Sequence, residues 1–130
     1  MILVLVFLLG LAVGSFLNAF MYRMEQGESA LKGRSYCPHC KHTLAWYDLI
    51  PLLSFALLQG RCRYCEKSIS LQYPIVELVT GLLFLGIFFL ILPWLNQGTG
   101  NLISLSFPQT LNVLYLWIIA ALLVVIFVYD

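Results

Sequence analysis

The stretch MILVLVFLLGLAVGSFLNAFMY, residues 1–22, carries no charged side chain, and the first charge of the chain, Arg23, follows it directly. About 20 consecutive apolar residues are enough for a helix to cross the hydrocarbon core of a bilayer. A cleaved secretory signal starts with basic residues and closes on a small-residue cleavage site. Here the order is reversed, so the stretch is expected to be a retained anchor with its N-terminus outside. Residues 1–22 are assigned to transmembrane helix 1, with the apolar span at about 2–21.

Further along, Glu77 is the only charged residue between positions 68 and 129. That leaves two more runs of spanning length, 75–95 and 111–130. The intervening residues 96–110 break the apolar pattern with Asn, Gln, Gly, Ser and Pro and are expected to form an extracytoplasmic loop. Hydrophobic residues make up 62% of the chain and charged ones 10%, with a mean hydropathy of +0.93, which excludes a soluble domain of ordinary composition. All seven basic residues, Arg23, Lys32, Arg34, Lys41, Arg61, Arg63 and Lys67, lie between the first and second spans. The positive-inside rule therefore puts residues 23–74 in the cytoplasm. The expected fold is an all-α polytopic membrane protein with about three transmembrane helices and a small zinc-ribbon-like cytoplasmic loop.

That loop contains a weak internal repeat: CPHCKHTL at 37–44 is echoed by CRYCEKSI at 62–69. Two C-x-x-C pairs so separated are close to the spacing of a four-thiolate zinc site, in which each turn offers two sulfurs to one ion. The candidate ligands are Cys37, Cys40, Cys62 and Cys65. The competing reading, two disulfides, needs an oxidising compartment, and a cytoplasmic loop favours zinc. Four thiolates around a divalent ion leave a net charge of about −2, which the adjoining Lys41, Arg61, Arg63 and Lys67 would offset. A closed four-cysteine shell has no free coordination position and is by default structural; His39 and His42 are expected to be exposed loop residues. Residues 44–58 are mostly apolar but too short to span, and are expected at the lipid interface or covering the small domain.

Three further features stand out. Gly10 and Gly14 form a G-x-x-x-G pattern that lets another helix approach closely, and Asn18 and Tyr22 extend the same face. Glu77 opens the second span, where an ionisable residue is a functional candidate; salt-bridging to a loop arginine or sitting among headgroups are its plainer readings. Asp130 follows the third span at the cytoplasmic face. Aspartic proteolysis needs two carboxylates sharing a proton, and no second membrane-embedded partner is evident. Nucleic acid is not an expected partner, because the loop sets seven basic residues against only four acidic ones, Glu25, Glu28, Asp48 and Glu66. Attraction to membrane lipids explains that balance equally well.

Taken in order, four segments resemble the N-terminal half of the prepilin peptidase family, the type IV leader peptidases and N-methyltransferases. They are GSFLNAFMYR at 14–23, the paired cysteines, WYDLIPLLS at 46–54, and ISLQYPIVELVTG at 69–81. The resemblance implies an enzyme that cleaves the basic leader from a prepilin or pseudopilin and methylates the new N-terminus from S-adenosylmethionine. It implies Asp130 as the first of two catalytic aspartates; Glu77, Asn18 and Asp48 stand beside it as further candidate functional residues. The family's second aspartate motif, Gly-x-Gly-Asp, is absent from the chain. Proteolysis is therefore not expected from the chain alone, and a C-terminal half carrying that motif is an expected partner. The alternative is a non-enzymatic membrane scaffold whose zinc loop binds a cytoplasmic protein.

Overall fold

In the computed structural model, residues 1–27, 29, 33–96 and 107–129 are described. Among the described residues four α-helices follow one another: α1 (Ile2–Glu25), α2 (Leu53–Leu57), α3 (Gln72–Asn96) and α4 (Phe107–Tyr129), with one 3-10 turn at Trp46–Leu49. Among the described residues there is no β-strand, only two isolated bridges. Most of the expected extracytoplasmic loop, residues 97–106, and the candidate Asp130 lie outside the described residues.

The helices begin and end where local chemistry directs. The 24 residues of α1 make a rod about 36 Å long, more than the roughly 30 Å of a bilayer core. It runs past the expected span end at 21 and stops where Gly27 takes a left-handed φ of +68° and its N–H reaches the Met24 carbonyl. At the other long helix, the Ser70 hydroxyl accepts the Gln72 N–H at 3.2 Å. Pro74 falls in the first turn of α3, where its missing N–H costs nothing. The start of α3 thus precedes the expected position 75, and α4 starts before the expected position 111. By length and composition, Ile2–Glu25 and Gln72–Ile91 are each apolar enough to cross a membrane, and Thr110–Ile126 is a shorter apolar helix.

Helices α1 and α3 pack through glycine. A Cβ built on Gly10 would lie 2.7 Å from the Gly81 Cα, and one on Gly14 would lie 2.8 Å from the Glu77 Cα. The G-x-x-x-G pattern is therefore a helix-packing face, which brings the two backbones together. Leu17, Met21, Val76 and Val124 form one apolar cluster and Val6, Phe84 and Phe88 another. Helix α4 joins through Trp117, whose ring stacks on Phe84 at 4.9 Å and whose indole N–H donates to the Phe84 carbonyl at 3.3 Å. The outward side chains of the long helices, Leu5, Leu9, Phe16, Leu82 and Leu90 among them, are exposed.

Candidate metal centre and the adjoining cavity

The repeat read in the sequence is a repeat in space. A shift of 25 residues maps Cys37 onto Cys62 and Cys40 onto Cys65. The same shift maps the backbone bonds. Cys37 N–H donates to the His42 carbonyl and Cys62 N–H to that of Lys67; Lys41 N–H reaches Cys37 and Glu66 N–H reaches Cys62. The bridges Tyr36 to Thr43 and Arg61 to Ser68 correspond as well. Each knuckle turns on a non-glycine residue in the left-handed region just after its second cysteine, Lys41 at φ 58° and Glu66 at φ 57°. Such a conformation costs an L-residue about 1–2 kcal/mol, and the turn holds it because it points two sulfurs to one side.

The four sulfurs converge. All lie within 4.8 Å of one another, with Cys37 Sγ and Cys65 Sγ at 3.8 Å, and all four cysteines are free thiols. A tetrahedron of sulfurs around zinc has edges of about 3.8 Å, given a Zn–S length of about 2.3 Å. The set can hold a metal ion, and its donor chemistry fits a soft or borderline one. The thiol of Cys65 registers the crowding. The Lys67 backbone N–H pulls it down, but burial and hydrogen bonds with the sulfurs of Cys40, Cys62 and Cys37 prevail and push it up to about 11. Neighbouring thiols resist ionising together unless a cation lies between them.

Asp48 ties the connecting segment to the second knuckle. Its carboxylate, 3% exposed, accepts Arg63 Nε at 2.7 Å, the Tyr64 hydroxyl at 3.0 Å and the Ala45 N–H at 3.2 Å. Burial opposes its charge, yet these three donors outweigh burial and hold the carboxyl below its usual range. Arg63, expected only to offset thiolate charge, also lies 5.2 Å over the Tyr47 ring.

Between the knuckles and the α1/α3 pair lies a cavity of about 290 Å³, lined in part by Asn18, Tyr22, Tyr36, Asp48, Tyr73 and Glu77. Three candidates spread over sixty positions of sequence thus meet at one site. Asn18 Nδ2 donates to the Tyr73 carbonyl at 3.0 Å. Glu77 is 8% exposed and accepts the Leu52 N–H at 2.9 Å and the Ser15 hydroxyl. Among the described residues Glu77 pairs with no arginine, and its side chain is buried. Ser15 was not singled out by the sequence, although its place beside Gly14 on the packing face was a signal. Leu52, with φ 58°, could not have been found that way, because left-handed leucine has no sequence signature. Cys37 and Cys62 are buried, Cys40 is exposed, and His39 and His42 are exposed as expected.

Residues 8–91 match the profile of the Bacterial Peptidase A24 N-terminal domain. A prepilin leader peptidase/N-methyltransferase of Myxococcus xanthus is 56% identical over 81 residues, which is 62% of this chain and 24% of that protein. Proteins of the same description from Klebsiella pneumoniae and Vibrio cholerae are 45% and 39% identical over 77% and 73% of this chain, and 46% and 41% of their own lengths. The chain therefore spans less than half of each of these relatives. No solved structure matches it. The matched profile takes in most of α1, both knuckles and the spanning part of α3, so the chain belongs to the family of bacterial peptidase A24 N-terminal domains.

Proposed function

We propose that this chain forms the N-terminal part of a prepilin leader peptidase/N-methyltransferase that processes type IV pilin or pseudopilin precursors at the cytoplasmic face of the bacterial inner membrane. The observation that carries the reading is the 45% identity to the Klebsiella pneumoniae enzyme over 77% of the chain. Cleavage and methyl transfer belong to the whole protein. Asp130 is the candidate first aspartate, and a C-terminal half supplies the second. S-adenosylmethionine is the proposed methyl donor, on the strength of the relatives' N-methyltransferase description.

In this reading the chain spans the membrane three times, at α1, α3 and α4. The exposed apolar flanks of these helices support it, since such surfaces are unfavourable in water and ordinary in lipid. The cysteine module lies in the cytoplasm, where its basic residues hold it by the positive-inside rule. It has the form of a small zinc ribbon whose ion is structural, because four thiolates leave no open position. Trp46 and Leu57, 76% and 72% exposed, rest at the lipid interface.

The test is a chimera in which this chain replaces the matching N-terminal segment of the Klebsiella pneumoniae relative. Prepilin cleavage and N-methylation by the membrane-inserted chimera are the expected result. Loss of both activities in a stably inserted chimera overturns the reading.

A further inference from the structure

The segment that connects the knuckles is fastened at both ends to the second one. At its near end Asp48 accepts Arg63 Nε and the Tyr64 hydroxyl; at its far end the Gly60 carbonyl accepts the Ile69 N–H at 2.7 Å. Between these anchors α2 packs on the Trp46–Leu49 turn of its own segment, and the Ser54 hydroxyl donates to the Ile50 carbonyl, again within the segment. The hydrogen bond that reaches the long helices runs from the Leu52 N–H to Glu77 Oε2 at 2.9 Å. Arg23, His39 and Arg63 line the same cavity as Glu77, yet Arg63 is held by Asp48 and Arg23 donates to the Gly33 carbonyl at 3.1 Å. The buried carboxylate is thus committed to a backbone N–H, and an ionised acceptor makes such a bond stronger than a neutral one.

That N–H belongs to a strained residue. Leu52 has φ 58° and ψ −43°, and the Leu53 N–H reaches back to the Pro51 carbonyl, which makes a γ-turn of the rare, strained kind. Left-handed residues recur after α2, at Gln59 with φ 50° and Gly60 with φ 69°. Helix α2 is therefore bracketed by two turns. Once the bond to Glu77 is broken, Leu52 relaxes to a negative φ, and the chain redirects at the head of α2. The strain at Leu52 and the bond that opposes it are of the same order, which is the condition for two arrangements of comparable energy.

We propose that residues 51–59 form a flap over the cavity, latched by the Glu77 carboxylate on the Leu52 N–H and opening toward the side on which Leu53 and Leu57 are exposed. Ser54 and Phe55 supply its inner face. Opening widens the cavity on that side and leaves the knuckles and the helix pair in place, because the anchors at Asp48 and Gly60 lie outside the moving part. The device stands apart from the function proposed above: it governs access whatever group the cavity takes, and its test reads no activity.

The experiment follows alkylation of Ser54→Cys, on the cavity side, in the full chain in lipid nanodiscs with zinc present. Mass spectrometry of the peptide that holds the new thiol gives the rate, and Ala56→Cys, on the exposed side, is the control. Glu77→Gln keeps the shape of the latch and gives up its charge, whereas Leu52→Pro removes the N–H and forbids a positive φ. Each is expected to raise the rate at Ser54→Cys at least about fivefold and to leave that at Ala56→Cys unchanged. Circular dichroism checks the fold of each variant, and if Leu52→Pro fails it, Glu77→Gln decides alone. An unchanged rate at Ser54→Cys in a folded Glu77→Gln protein overturns the latch. A rise at both positions together shows loosening of the whole module and overturns it equally.

Discussion

At the scale of single residues, the cysteines were legible and the carboxylates were only half so. C-x-x-C turns are local, and their chemistry follows from four sulfurs at fixed spacing. Asp48 was among the candidate functional residues, but its role depends on Arg63 and Tyr64, which arrive from the second knuckle. Because its carboxyl is held below the usual range, the stability it contributes is fully present above about pH 5 and is lost as pH falls through the lowered value. Arg63 is 45% exposed, so solvent screening limits the ion pair, and Asp48→Asn should cost about 1 kcal/mol near neutrality, mostly through lost hydrogen bonds. Thermal melts of the two proteins should differ by a few degrees at pH 7 and converge toward pH 3. A gap that widens in acid would contradict the assignment.

At the scale of elements, the face of α1 that meets α3 was readable as G-x-x-x-G, while its partner was not. Any later helix could have filled the groove; Gly81 and Thr80 on α3 do so because their small side chains admit the α1 backbone. Gly10→Ala would press a methyl on backbone atoms that cannot rotate away, so the pair should lose about 1–3 kcal/mol in detergent unfolding. Gly86 has nothing within 4 Å of its would-be Cβ, and Gly86→Ala should be neutral or stabilising by about 0.5–1 kcal/mol. Equal costs at both positions would show that helix propensity, not close approach, governs these glycines. The connecting segment was expected either at the lipid interface or over the small domain, and it presents one side to the cavity and the other outward. Ser54 and Phe55 line the cavity while Leu53 and Leu57 face outward. With the other tryptophans replaced by phenylalanine, Trp46 emission should be quenched by lipids brominated near the headgroup. Quenching by aqueous iodide alone would remove the segment from the membrane.

At the scale of the whole molecule, two units with different sources of stability are joined. The helix pair holds itself by apolar packing, whereas the knuckle module is too small to bury a sufficient core, and in the proposed reading it depends on an ion held by the four cysteines. Chelation should therefore leave most of the helical circular dichroism intact while opening residues 34–70 to protease and to thiol alkylation. Collapse of the helical signal along with the metal would mean that the module, not the glycine face, organises the helices. Impermeant thiol reagents applied to intact cells should leave all four cysteines unlabelled if the module is cytoplasmic.

The sequence by itself determined the apolar runs, the side of the chain that gathers positive charge, and the four sulfurs of one metal set. Each is written in composition or short-range spacing, which the backbone carries directly into helices and turns. Only the tertiary structure decided that Asn18, Asp48 and Glu77 share one cavity. Their meeting depends on the facing of α1 and α3, set by glycines on two distant helices, and on a left-handed leucine that turns a backbone N–H toward Glu77. Long-range close approach and rare backbone conformations have no local pattern, so packing alone could reveal them.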